Sequence, residues 1–199
     1  GRSMNTRPRG RNWLFVKLFT DEGVTGVGEG GGWPYIVEKT IQEMKHFLIG
    51  ENPFEIERLW LRLYDILHGH GVTGSVRGGM ISAIDCALWD IKGKALGVPV
   101  WELLGGKMRE SIPVYGHAST PIEAEKLIDR GYRFFKCPPK IDTLKKLREA
   151  VGYEVEIGVH CHAEMTPSAA IQLGRGCEPF RPMFLEDPVV PENVEAFAK

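Results

Sequence analysis

Two clusters in this chain could do chemistry. His160-Cys161-His162 closes one apolar run, Glu156-Ile157-Gly158-Val159, and Glu186-Asp187-Pro188 closes another, Pro182-Met183-Phe184-Leu185. A helix-like segment opening at Thr166-Pro167 lies between them, so the order is strand, helix, strand. Imidazole and carboxylate groups delivered by neighbouring strand ends can hold a cation or move a proton. Alternation along an extended strand puts His160, His162 and, if the strand continues, Glu164 on one face, with Cys161 on the other.

The segments that must position these groups form a repeating pattern. Ile112 to Tyr115 reads as a strand. Thr120-Pro121-Ile122-Glu123 is a capping box with proline at the first helical position, and Gly131 ends the helix it opens. Phe134-Phe135-Lys136-Cys137 is a second strand, Thr143 to Val151 a helix, Val155 to His160 a third strand, Thr166 to about Gly174 a helix, and Met183 to Glu186 a fourth strand. Pro191-Glu192 is expected to start another helix. Repeated strand–helix units imply a parallel sheet or barrel, whose active face lies at the strand exits. Four units make about half of an eightfold barrel, with two raw edges and an uncovered interior, so the chain reads as a portion of a longer protein. The short link Pro138-Pro139-Lys140-Ile141 is a second place where residues are expected to be missing.

The preceding region follows another grammar. Trp13 to Thr20 and Val24 to Glu29 form a hairpin around Asp21-Glu22-Gly23. Ile36, Val37, Ile41, Met44, Phe47 and Leu48 share a helical face. Asn52-Pro53 is a helix-start signal, followed by the stripe Phe54, Ile56, Leu59, Trp60, Leu63 and Leu67. His68-Gly69-His70-Gly71 and Thr73-Gly74 read as a loop, and a third helix is expected from about Gly79 to Leu96, stopped by Gly97. The reading is therefore an α+β domain over residues 4–106 and a barrel portion over residues 107–199. Gly1-Arg2-Ser3 ahead of Met4 reads as an expression remnant.

Composition narrows the function class. The chain has 199 residues, 25 basic and 26 acidic, for a formal charge of −1, which gives no electrostatic case for nucleic acid or an anionic membrane. No apolar run is long enough to span a bilayer. The four cysteines, Cys86, Cys137, Cys161 and Cys177, fit no zinc-finger spacing and no disulfide scaffold, and a cytoplasmic location is expected. Gly30-Gly31-Gly32 lacks the spacing and the lysine of a phosphate loop.

Four stretches together resemble the enolase superfamily, in its mandelate racemase/muconate lactonizing branch: Thr20-Asp21-Glu22-Gly23-Val24-Thr25-Gly26-Val27-Gly28-Glu29, Ser82 through Lys94, Pro99 through Gly106, and Phe184-Leu185-Glu186-Asp187-Pro188. Glu178-Pro179-Phe180-Arg181-Pro182-Met183-Phe184 looks most like the sugar-acid, galactonate-type dehydratases of that branch. The resemblance implies a capping domain, a (β/α) barrel of the enolase type, Mg²⁺ on three carboxylates, an acid-sugar substrate and a homo-oligomer. It also implies removal of the proton beside a substrate carboxylate. That step would leave a dianionic enediolate, which a cation and a tuned base make accessible.

On this resemblance Glu186 matches a metal ligand, and Asp187 a supporting or structural position. His162 matches the general acid that protonates the departing hydroxyl. His160 stands where the family places an Asp ligand. Imidazole suits zinc, nickel or iron better than Mg²⁺, so Mg²⁺ binds weakly, another metal is used, or metal binding is lost. Lys136 stands at the first lysine of a Lys-x-Lys pair whose second position is Pro138; it binds the substrate carboxylate or is a structural lysine. His68, His70 and Arg77 flank a loop that either hangs over the barrel mouth and selects substrates or is simply solvated, and Cys137 could join the two histidines in a zinc site. The third metal ligand and the catalytic base are expected beyond Lys199. The expected function is a metal-dependent sugar-acid dehydratase giving a 2-keto-3-deoxy acid. The alternatives are a racemase or epimerase of the same superfamily, disfavoured by Pro138, and a degenerate non-catalytic relative.

Overall fold

The structure, a computed structural model, describes residues 12–69 and 74–198. The chain divides into two compact units, Gly1–Met108 and Arg109–Lys199.

In the first unit, β1 (Leu14–Phe19) and β2 (Thr25–Gly30) form an antiparallel hairpin. Its turn is held by Thr20, whose hydroxyl donates to the Val24 carbonyl at 2.9 Å. Helices α1 (Pro34–Met44), α2 (Ile56–Gly69), α3 (Gly74–Leu96) and the short α4 (Val100–Leu103) follow. Val37, Ile56, Leu59, Leu63, Leu67, Met80, Ile81, Ile84 and Leu88 form the core. The hairpin backbone lies directly on α3. A Cβ on Gly26 or Gly28 would come within 2.0 or 1.9 Å of the carbonyl oxygens of Ala87 and Ala83. The glycine-rich strand and the small residues of the helix are therefore one packing device.

Two helix starts differ from the sequence reading. Asn52 makes a turn rather than a cap: its Oδ1 accepts from the Phe54 N–H at 3.0 Å, and the helix begins at Ile56. Helix α3 begins at Gly74, ahead of the expected Gly79. His68 lies on α2 and Arg77 on α3, and Arg77 contacts the His68 Nδ1 at 3.1 Å. His70 lies outside the described residues.

The second unit holds a four-stranded parallel sheet in chain order: β3 (Gly116–His117), β4 (Phe134–Cys137), β5 (Glu156–His160) and β6 (Leu185–Glu186). Helices α5 (Pro121–Asp129), α6 (Ile141–Val151) and α7 (Pro167–Cys177) connect them. The capping box at α5 is formed: Thr120 Oγ1 accepts from the Glu123 N–H at 3.3 Å, and Glu123 accepts from the Thr120 N–H at 3.2 Å. The first strand starts four residues beyond the sequence reading and ends two beyond it. Ile112, Val114 and Tyr115 are exposed, and pairing begins only where Gly116 meets Phe135. After Pro191 the chain turns and makes a 3₁₀ segment, Val194–Ala198, in place of an α-helix.

Strand alternation sorts the side chains. Phe135, Cys137, Ile157, Val159 and Cys161 join Leu144, Leu147, Leu173 and Cys177 in the core beneath the helices. On the opposite face Gly158 leaves room for the Phe184 ring, which a Cβ there would meet at 2.3 Å. Arg148 is 4% exposed and was not singled out by sequence reasoning. Its guanidinium donates to the carbonyls of Phe180, Gly152, Val155 and Arg181, at 3.0, 2.7, 2.7 and 3.2 Å. One buried cation thus ties α6 to the chain entering β5 and β6.

Candidate active site

The site lies where β4, β5 and β6 end. Parallel register makes Lys136 the partner of Gly158, and His160 the partner of Glu186. Past the strand ends the pairing persists: the Cys161 N–H donates to the Glu186 carbonyl at 3.0 Å, and the Ala163 N–H to that of Asp187 at 2.7 Å. Ala163 and Asp187 both have positive φ, 57° and 43°, so the regular alternation stops there. Glu164 therefore does not extend the His160–His162 face.

Four side chains meet in a file. Lys136 Nζ donates to both carboxylate oxygens of Glu186, at 2.9 and 2.8 Å, and lies 3.3 Å from His160 Nδ1. His160 Nδ1 is 3.0 Å from Glu186 Oε1. The other nitrogen of that ring, Nε2, is 2.7 Å from His162 Nε2. Lys136 is 6% exposed, whereas His162 is exposed, so the file runs from the sheet interior to the surface. The structure thus brings together all four residues predicted from sequence.

Burial alone would lower the Lys136 pKa. The hydrogen bond and negative charge of Glu186, with a smaller push from Tyr115, outweigh it and hold the ammonium above the ordinary lysine range. The hydrogen bond from Lys136 in turn draws Glu186 below the ordinary carboxylate range, against burial, with His160 adding to the pull.

Sequence reasoning missed two neighbours. The Tyr115 ring lies 5.2 Å from Lys136 Nζ, and the His117 ring lies 6.1 Å from that of His160, edge to face. Ending the first strand at Tyr115 hid His117; its place at a strand exit was the available signal. Cys137 is no zinc ligand. It points into the core, 2% exposed, and burial pushes its thiol up to about 12, so the metal-binding thiolate is suppressed.

Among the described residues no three His, Cys, Asp or Glu side chains stand together as a ready metal site. The donors nevertheless converge on a positive charge. The ammonium of Lys136, a stand-in cation, touches both oxygens of Glu186 and one nitrogen of His160. One carboxylate and one imidazole nitrogen fit a divalent cation that accepts nitrogen better than they fit the oxygen-seeking Mg²⁺.

Residues 3–105 match the model for the mandelate racemase/muconate lactonizing enzyme N-terminal domain, and residues 121–199 match the model described as enolase C-terminal domain-like. The chain belongs to the mandelate racemase/muconate lactonizing enzyme family.

Its fold is accordingly an α+β domain followed by part of an enolase-type (β/α) barrel. Among family members, the D-galactonate dehydratase of Klebsiella pneumoniae (strain 342) is 35% identical over 215 residues, covering 94% of this chain and 54% of that protein. The aligned stretch exceeds the 199 residues of this chain, so that relative has residues without a counterpart here. The crystal structure of the 3,6-anhydro-D-galactonate cycloisomerase from Zobellia galactanivorans superposes with a TM-score of 0.88 at 30% identity, covering 94% of this chain and 56% of that one. An enolase from Pantoea ananatis with bound D-gluconate and Mg superposes with a TM-score of 0.81 at 30% identity, covering 94% and 58%. The chain thus spans about half the length of the relatives it matches. Among the described residues no helix is long and apolar enough to cross a membrane.

Proposed function

We propose that this chain carries part of the active site of a metal-dependent sugar-acid dehydratase, a hydro-lyase working as a cytoplasmic homo-oligomer on a small acid sugar. The observation that carries this reading is the file Lys136–Glu186–His160–His162 at three adjacent strand exits. Similarity to a D-galactonate dehydratase supports the substrate class.

The substrate is a 2,3-dihydroxy carboxylate. A base removes the proton from the carbon beside the carboxylate, and the electron pair moves into that carboxylate as an enediolate. When the pair returns, the bond to the 3-hydroxyl breaks, and that oxygen takes a proton and leaves as water. The resulting enol becomes a 2-keto-3-deoxy acid, with net loss of one water.

His162 is the exposed end of the file and is assigned the proton that goes to the departing hydroxyl. Lys136 is assigned the substrate carboxylate, because its ammonium is the cationic donor at the sheet exit. His160 holds the ring of His162 through the 2.7 Å contact and shares Glu186 with Lys136. A divalent cation, Mg²⁺ or one with greater affinity for nitrogen, would be held by Glu186 and His160 and would supply charge neutralisation for the enediolate.

The test is incubation of the full-length protein with divalent cation and a panel of aldonic and aldaric acids, scoring 2-keto products. Turnover of at least one acid is expected; no product across the panel contradicts the reading. A second reading, a non-catalytic relative, is favoured by one feature: Lys136 already satisfies both oxygens of Glu186. Racemisation is disfavoured, because Pro138 stands where a second lysine of β4 would supply a base for the opposite substrate face.

A further inference from the structure

Lys136 Nζ donates to Glu186 Oε2 at 2.8 Å and to Glu186 Oε1 at 2.9 Å, and His160 Nδ1 lies 3.3 Å from the same ammonium and 3.0 Å from Glu186 Oε1. Glu186 and His160 are also the residues that would hold a divalent cation. From this coincidence we propose that Lys136 and a divalent cation are mutually exclusive occupants of one focus. Lys136 is a built-in competitor, and cation loading releases its ammonium. The inference rests on the proposed function only in naming Glu186 and His160 as cation-holding residues.

Several observations carry it. A divalent ion and an ammonium on the same carboxylate oxygens repel each other at short range, and the interior of the sheet offers little solvent to screen them. Lys136 is fixed from behind: it stands on β4 between paired neighbours, with Phe135 and Cys137 packed into the core beneath the helices. Its ammonium can yield toward the strand exits, where the Tyr115 ring lies 5.2 Å away. His160 makes the competition more even than a second carboxylate would. It contributes no negative charge, so among the residues described Glu186 supplies the formal charge for which the two cations would compete. The released ammonium would face the mouth, where an acid sugar presents its carboxylate. Cation binding and substrate-anion binding would then be coupled through one side chain.

The test is cation binding, independent of turnover. Zn²⁺, which accepts both oxygen and nitrogen, is titrated calorimetrically into the wild-type protein, Lys136→Met and the double variant Lys136→Met/Glu186→Gln. Removing the competitor is expected to tighten Zn²⁺ binding by about tenfold or more, because the competent state no longer has to be freed first. The double variant is expected to lose that gain. Equal or weaker binding by Lys136→Met, a gain that survives loss of Glu186, or no Zn²⁺ binding by any form overturns the proposal.

Should Lys136→Met fail to fold, ¹⁵N-lysine-labelled wild-type protein decides. Zn²⁺ saturation is expected to speed hydrogen exchange at Lys136 Nζ, and an unchanged rate overturns the proposal. A protein that binds Zn²⁺ as expected yet converts no acid sugar leaves this inference standing and removes the proposed dehydratase. Turnover with no effect of Lys136→Met on Zn²⁺ binding does the reverse.

Discussion

Lys136 Nζ lies 2.8 and 2.9 Å from the two carboxylate oxygens of Glu186, across the width of β5. Lys136 is almost fully buried and Glu186 is 28% exposed at its side chain, so the two charges are unequally solvated. Removing the carboxylate strands a buried ammonium. Glu186→Gln is expected to destabilise the fold by about 2–3 kcal/mol, the range for losing charge-assisted hydrogen bonds beside an unpaired buried charge. A lowered urea midpoint with unchanged slope checks this; an unchanged midpoint contradicts it.

The same pair sets a pH window. Glu186 has a depressed pKa when folded, so its stabilisation is present above the unfolded carboxylate value, about 4.3, and is lost as pH falls through the folded value. Lys136 has a raised folded pKa, so its stabilisation is present below the unfolded lysine value, about 10.4, and is lost as pH rises through the folded value. The stability difference between the wild type and Lys136→Met/Glu186→Gln should therefore be flat between these limits and shrink at both ends. Urea unfolding across the pH range measures it; a difference that grows at low pH would be inconsistent with this linkage.

Arg148 acts far from the chemistry. Its guanidinium satisfies four carbonyls at the entry side of β5 and β6, and no aliphatic side chain can replace those bonds. Arg148→Met should cost about 3 kcal/mol, since one buried and three part-buried carbonyls lose a charged donor. Thermal unfolding reports it, and a change in melting temperature within error would argue that the carbonyls find other partners.

Gly28 tests the joint between hairpin and helix. A methyl group there would meet the Ala83 carbonyl at 1.9 Å, so the strand or α3 has to move. Gly28→Ala is expected to cost about 1–3 kcal/mol through overpacking. Gly31→Ala, where a Cβ meets nothing within 4 Å, should be close to neutral. Paired denaturation curves separate the two; equal stabilities would mean the hairpin is not seated on the helix.

Much of this was legible in the sequence where local chemistry and pattern agree. The capping box at Thr120, proline at the start of α5 and α7, and the buried stripe Ile81, Ile84, Leu88, Ile91 read directly into structure. The first barrel strand did not, because Ile112 to Tyr115 alternates like a strand but finds no partner, whereas Gly116 does. Asn52-Pro53 misled for a similar reason: a turn and a helix cap use the same residues. At the site, period two correctly separated His160 and His162 from Cys161. The pairing of His160 with Glu186 is a matter of register between strands, which no single segment encodes. Arg148 was invisible because one arginine in a charged helix looks like solvated surface until the carbonyls around it are known.

His162 is given the proton of the leaving hydroxyl, and that role separates from removal of the α-proton. The most direct measurement is the reaction of His162→Ala with an acid sugar that the wild type dehydrates, run in D₂O and followed for both 2-keto product and deuterium at the α-carbon. Loss of dehydration by about a hundredfold or more, with deuterium exchange retained, is the expected result. Undiminished dehydration by His162→Ala would contradict the assignment at its centre.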